Sequence, residues 1–195
     1  MTFESVTDAL CRYEAELDRI GFRHDFADGL TPHQLHEIEA EAGFRLSQDA
    51  RAVWSWHGGT SVPSGQPCTQ ASTIVPFGIF PGIRSAITTG KGIADSAAEA
   101  EQIAFDEKRF LSLCWLGQDP FFIDSTDPDA PDSPTLRTVW GEGIFTVPAI
   151  TVTERVELWI NAVQTGAWYV DDTGRLNEDF SLLPEAHRFL LSWGP

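Results

Sequence analysis

LTPHQLHEIEAEAGFRLSQDARAVWSWHGG, residues 30–59, carries two helix starts and two helix stops. Thr31 is placed to cap a helix with Pro32 at its first position, Gln34 completes a capping box, and Leu30 can staple onto Leu35. Leu35, Ile38 and Ala42 fall on one apolar stripe. Gly43 stands where a left-handed C-terminal residue is wanted, so that Phe44 folds back onto Ile38. Ser47 offers a second cap, and Ala50, Val53, Trp54 and His57 share a face at helical spacing until Gly58-Gly59 ends the run. Two short amphipathic helices joined by a tight corner are predicted.

Upstream, Val6, Leu10, Tyr13, Leu17 and Ile20 recur at helical spacing before Gly21, which predicts a first helix with one buried stripe. Downstream, residues 110–115, 121–124, 135–140 and 144–147 are short runs rich in β-formers. They are separated by Gly117-Gln118-Asp119-Pro120, by DSTDPDAPDSP (124–134) and by Gly141-Glu142-Gly143. Connections this short imply an antiparallel meander with one covered face. Thr151 and Glu154 form a second capping box, and Val156, Trp159, Ile160 and Val163 make the stripe of a helix over 154–165 that covers the sheet. The expected fold class is α+β, a mainly antiparallel sheet flanked by helices. Its core is expected to hold Leu35, Ile38, Trp54, Leu113, Phe122, Ile123, Val139, Trp159 and Val163.

The intervening segments are less periodic. Residues 60–73 read as a long polar loop available to a partner, and 74–80, interrupted by Pro76 and Gly78, as an edge strand or a loop packed on the core. Thr88-Thr89-Gly90-Lys91-Gly92 invites a phosphate-loop reading. No glycine stands five residues before Gly90, however, and Gly92 replaces the hydroxyl residue after the lysine, so nucleotide binding is not expected. A helix over 93–105 would present Ala97, Ala100 and Ala104 as a small-residue face. A hairpin over 168–176, turning at Asp172-Thr173-Gly174, and a closing helix over 182–191 complete the chain.

The order Ile38-Glu39, Gly43, Leu46, an aromatic helix and a terminal Gly58-Gly59 resembles the SUKH superfamily of bacterial immunity proteins and fungal cell-wall-assembly regulators. The family motif runs roughly I-x-x-(L)E-x-x-x-G-x-x-LP, followed by NGG. Glu39, Gly43 and Leu46 match it, while Ser47 replaces the common proline and His57 the common asparagine. Residues 113–115, Phe122-Ile123-Asp124, Val139 and the helix over 156–163 then follow the order of the second family signature. The resemblance implies a single SUKH-like domain over residues 1–195, with its core about residues 3–166 and an extension over 167–195.

With 195 residues and 42% hydrophobic content, the chain can bury an ordinary core. Thirteen Lys and Arg oppose 29 Asp and Glu, a formal charge of -16, so nucleic acid and anionic membrane surfaces are repelled and a basic protein is attracted. The N-terminal residues carry acids and no uninterrupted apolar run, so a signal peptide is not expected, and no apolar run approaches the ~18 residues of a membrane span. Cys11, Cys68 and Cys114 form no CxxC pair and fit reduced thiols. A soluble, cytoplasmic protein is expected.

No family of catalytic signatures is present: there is no GxSxG and no Ser or Cys in a recognisable nucleophile motif. His24-Asp25 with Asp28 lacks the further His and Asp of an HD-type metal site, and His33 and His36 lie off the apolar stripe, where solvated histidines are expected. Asp124, Asp127, Asp129 and Asp132 lack the glycine and terminal glutamate of an EF-hand loop, and read as a solvated acidic loop. Trp54, Trp115 and Trp159 fit core stripes, whereas Trp56 lies off its helix's apolar face and suits an interface.

Neither a catalytic residue nor a metal or cofactor is therefore expected. The resemblance implies an immunity protein that neutralises a basic toxin of nuclease or deaminase type. The partner-binding candidates are Trp56, Asp127, Asp129, Asp132, Asp171 and Asp172. The alternatives are a regulatory scaffold like the fungal members, or a small acidic enzyme with a site built from His57, Asp124 and their neighbours.

Overall fold

The structure, a computed structural model, describes residues 5–60, 70–99, 109–114, 121–139, 143–185, 187 and 191. Helix α1 (Val6–Arg19) begins at Ser5, whose hydroxyl accepts the Asp8 N–H, and ends before Gly21. Helix α2 (Pro32–Ala42) has both halves of the Thr31/Gln34 capping box, and Gly43 at φ 75° donates its N–H to Glu39 O. Helix α3 (Gln48–Trp56) is capped by the Ser47 hydroxyl. Glu39 is buried between the two helices, where it accepts the Leu46 N–H at 2.8 Å and the Arg51 guanidinium. The three motif residues Glu39, Gly43 and Leu46 thus build one corner: a carboxylate lock, a left-handed cap and an apolar plug.

His57 departs from the expected helical face. At φ -143° and ψ 146° it leaves α3 and starts strand β2 (His57–Gly59), which pairs antiparallel with β1 (Ala27–Asp28). Backbone pairing with the linker after α1 takes precedence here over the helical period. A small hairpin follows, β3 (Thr73–Val75) with β4 (Gly78–Ile79), turning through Phe77 at φ 61°. The interrupted run over 74–80 is therefore two short strands rather than one.

The main sheet joins β5 (Phe110–Cys114), β6 (Phe121–Asp124), β7 (Pro134–Val139) and β8 (Gly143–Thr151), each antiparallel to the next and in that spatial order. The fold is α+β with a mainly antiparallel sheet, as expected. Both faces of the sheet are covered, however, instead of one. Leu111, Leu113, Phe121 and Ile123 point into the large core with α1, α3 and α5 (Val152–Gln164). Phe110, Phe122 and Leu136 point the other way and bury Ala94 of α4 (Ile83–Glu99). Helix α4 starts ten residues before the predicted helix, and Thr88 to Gly92 lie inside it, with Thr88 donating to Arg84 O at 2.9 Å. The glycines that resembled a phosphate loop belong to a helix. A Cβ at Gly90 would sit 1.8 Å from Phe110 O, so the bare backbone lets α4 lie directly on β5.

Helix α5 carries the Thr151/Glu154 capping box. It runs beside α1 in the same direction: Arg12 pairs with Glu157, the Tyr13 and Trp159 rings lie 5.4 Å apart, and Gln164 donates to Glu16 at 2.8 Å. Tyr13 donates its hydroxyl proton to Ile74 O, and Trp54 Nε1 donates to Pro81 O at 3.1 Å, so both buried aromatics are satisfied. The expected core residues are buried, apart from Val139, whose side chain lies outside the described part. Strands β9 (Trp168–Val170) and β10 (Leu176–Glu178) form the expected hairpin. Ala167, Trp168, Leu176, Leu183 and Leu191 join the same buried cluster as α1 and α5.

Trp115, Ala100, Ala104, Cys68, most of the 60–73 loop, the turns at 117–120 and 141–142, and much of the closing segment over 182–191 lie outside the described residues. Among the described residues no helix is long and apolar enough to cross a membrane.

Candidate functional site

The acidic loop between β6 and β7 is held at both of its ends. Ser125 Oγ accepts the Ser47 N–H at 2.6 Å. Ser133 donates its hydroxyl to Ser47 Oγ at 2.8 Å and its N–H to Asp49 Oδ2 at 2.6 Å. Both clamps are buried at the N-terminal end of α3, so the chain between them is presented from a fixed base. Burial raises the pKa of Asp49, the Ser133 N–H opposes that, and the charge of Asp132 adds to the rise.

Asp127, Asp129 and Asp132 are all exposed on this loop. Asp127 Oδ1 accepts the Asp129 N–H at 3.0 Å, and Asp129 meets Arg45 at 2.8 Å. Arg45 and Asp129 are 66% and 73% exposed, so their pairing contributes only about 0–1 kcal/mol. Trp56 belongs elsewhere. It sits at the C-terminal end of α3, roughly 12 Å along the helix from the loop's anchorage, by the rise of an α-helix. His57 and Asp124, expected to share a site in the enzymatic reading, have different partners: His57 meets Glu14, and Asp124 accepts from Thr126.

Asp171 and Asp172 lie on the β9–β10 hairpin beyond the C-terminal end of α5, whereas Ser133 accepts the Val152 N–H at the other end of that helix. Three separate surfaces therefore carry the six candidates. Asp172 is exposed, but the Asp171 carboxylate is turned into its own turn. It accepts the Thr173 hydroxyl at 2.7 Å, the Arg175 N–H at 3.0 Å, the Thr173 N–H at 2.8 Å and the Asn177 amide at 3.1 Å.

These donors, the Thr173 hydroxyl first, pull its pKa down to about 2. A carboxylate with a depressed folded pKa stabilises the folded hairpin above its unfolded value of about 3.9, and that contribution is lost as pH falls towards 2. Carboxyl NMR should place the Asp171 midpoint near 2, rising towards the ordinary range in Thr173→Ala. A midpoint near 4 in the unaltered protein would contradict the turn geometry.

Among the described residues, Glu14, His24 and His57 form a cluster of titratable groups that the sequence did not bring together. Glu14 projects from α1, His24 from the linker leading to β1, and Trp56 and His57 from the end of α3 and the start of β2. Glu14 Oε1 lies 3.1 Å from His57 Nε2 and 3.4 Å from His24 Nε2, while Glu14 Oε2 accepts the Trp56 indole N–H at 2.9 Å. The His24 ring stacks on Phe26 at 4.4 Å and meets His57 edge-on at 4.8 Å.

Partial burial works to raise the Glu14 pKa. The hydrogen bonds from Trp56 and His57, with the charges of His57 and His24, outweigh it and leave the carboxyl below its usual range. Burial lowers the pKa of His24 and the neighbouring His57 adds to the fall, against the pull of Glu14. A carboxylate facing two imidazoles can hold a proton between them or a cation.

Trp56 is half-buried and belongs to this cluster, packing on Phe26 and Phe80, so only part of its indole remains for an interface. Its local position off the apolar stripe goes with its partly buried hydrogen bond to Glu14. No short-range signal announces the grouping, because Glu14 lies on the charged face of α1 and its partners arrive through the β1–β2 pairing. His33 and His36, by contrast, are exposed beside Glu37 and Glu39, as expected of solvated histidines. No protein-family model matches this chain, and no curated protein matches it.

Proposed function

We propose that the protein is a non-enzymatic binding protein that neutralises a basic protein, most specifically a nuclease- or deaminase-type toxin, as its resemblance to the SUKH immunity proteins implies. The observation that carries this reading is the acidic loop. Asp127, Asp129 and Asp132 are exposed between two buried serine clamps, on a chain whose formal charge is -16. A loop already fixed at its base loses less conformational freedom on binding than a free one, which favours affinity. A toxin that acts on nucleic acid must present cations where the phosphate backbone lies, and an acidic loop can occupy that same surface. The same charge disfavours binding of nucleic acid by this protein. Asp172 offers a second acidic contact on the hairpin, and the accessible part of Trp56 a third. A regulatory role like that of the fungal members would use the same surfaces with another partner.

Co-expression with a toxin encoded beside this gene tests the reading. Growth should be restored by the unaltered protein, and restored less well when Asp127, Asp129 and Asp132 are all changed to Asn. Killing that proceeds unchanged with every neighbouring toxin would overturn the immunity assignment.

A further inference from the structure

Glu14, His24 and His57 come from separate parts of the chain, yet one donor atom from each lies within 4.8 Å of the others. An ion of the zinc class binds nitrogen and oxygen at about 2.0–2.1 Å, which places tetrahedral donors roughly 3.3 Å apart. The Glu14 Oε1 distances to His57 Nε2 and His24 Nε2, 3.1 and 3.4 Å, already have that spacing. The imidazoles are largely withdrawn from solvent, at 19% exposure for His24 and 17% for His57. The buried Nδ1 of each ring has no hydrogen-bond partner. In the metal-free protein each Nε2 faces the accepting Glu14 carboxylate and carries a proton towards it. An ion bound at Nε2 would displace that proton, with Nδ1 left to carry the ring N–H, so metal binding is expected to weaken as pH falls. The Trp56 indole holds the second carboxylate oxygen, the orienting role an outer-shell partner plays around a metal ligand. Phe26 packs on both imidazoles and on Phe80, giving the site an apolar wall.

We propose that Glu14, His24 and His57 form a binding site for a divalent transition metal of the zinc class. Two imidazoles and one carboxylate suit zinc and its neighbours, whereas calcium and magnesium favour all-oxygen shells. Three protein donors leave a fourth position for water. The bound ion would tie α1, the linker and β2 together at the edge of the core, so zinc is also expected to raise the unfolding temperature. This site lies apart from the acidic loop and does not depend on the toxin-binding reading.

Zinc titrated into the metal-stripped full-length protein, against a competing chelator, should bind at one ion per chain. Cobalt(II) in its place should give the visible d–d bands of a tetrahedral site. His24→Ala and His57→Ala should each weaken zinc by at least about 100-fold, and Trp56→Phe by about 10–100-fold, as loss of an outer-shell partner does. His33→Ala with His36→Ala should leave the affinity unchanged. X-ray absorption on the unaltered zinc-loaded protein should show a nitrogen and oxygen shell with two imidazoles, a result independent of how any variant folds. The proposal is overturned by the absence of stoichiometric binding, by sulfur in the shell, or by zinc binding that survives both histidine changes. Binding that is lost instead when Asp127, Asp129 and Asp132 become Asn would overturn it equally.

Discussion

Replacing Trp159 with alanine is expected to lower the unfolding free energy by about 3–5 kcal/mol, the range for truncating a large buried aromatic. Its indole is buried at the seam of α1 and α5, against the Tyr13 ring at 5.4 Å. Tyr13 is itself fully buried and donates to Ile74 O, so the cavity would open beside a satisfied polar group that has little room to move. Partial collapse would strain that hydrogen bond, and no collapse would leave a void, so neither response recovers the loss. Urea unfolding should show a lower midpoint with an unchanged slope, because the surface exposed on unfolding stays the same. A loss under about 1 kcal/mol would mean that the α1–α5 seam is not where the core is held.

Gly90→Val should be the more disruptive of two substitutions within one helix. The added Cβ would meet Phe110 O at 1.8 Å, a backbone atom of a strand held in register by its pairing with β6, so α4 would have to lift from the sheet. Ala94, Phe110, Phe122 and Leu136 would then lose their packing, at a cost of about 1–3 kcal/mol or more. Gly92 is the internal control, since a Cβ there meets nothing within 4 Å. Gly92→Ala should stabilise by about 0.4–1 kcal/mol through the reduced freedom of the unfolded chain. Equal effects at the two positions, read from chemical denaturation, would contradict the close seat of α4 on β5.

That contrast also marks the boundary of what local sequence conveys. Caps are short-range devices, so Thr31 with Gln34, Ser47, and Thr151 with Glu154 could be read from residue types and spacing alone, as could the stop at Gly43. Gly90 and Gly92 look alike in the sequence, yet one is required by a strand that follows in the chain and the other is not. Without that strand in view, the glycines read as a loop, α4 is shortened, and the second covered face of the sheet disappears with it. His57 was displaced from its expected helical face for a related reason, its backbone being claimed by Asp28 across the β1–β2 pair.

The candidate surfaces divide in the same way. Exposure of Asp127, Asp129 and Asp132 follows from a polar loop between two strands, and was legible. The serine clamps beneath them were not, because they join Ser47 to Ser125 and Ser133 through tertiary structure. Asp171 illustrates the opposite error of scale. It has the appearance of a free surface charge, whereas four donors within its own hairpin occupy it. The grouping of Glu14, His24 and His57 depends on three segments meeting, and no spacing rule for metal ligands within one helix or loop reaches that far.

The most direct test of the binding account is the association rate constant with the cognate toxin, measured by stopped flow across ionic strength. For the unaltered protein the rate should approach ~10⁸ M⁻¹s⁻¹ at low salt and fall as salt is added. Changing Asp127, Asp129 and Asp132 to Asn should slow association several-fold at low salt. The two proteins should converge as the Debye length shrinks from about 10 Å at 0.1 M to about 3 Å at 1 M. Rates indifferent both to salt and to the three aspartates would contradict electrostatic recognition through the acidic loop.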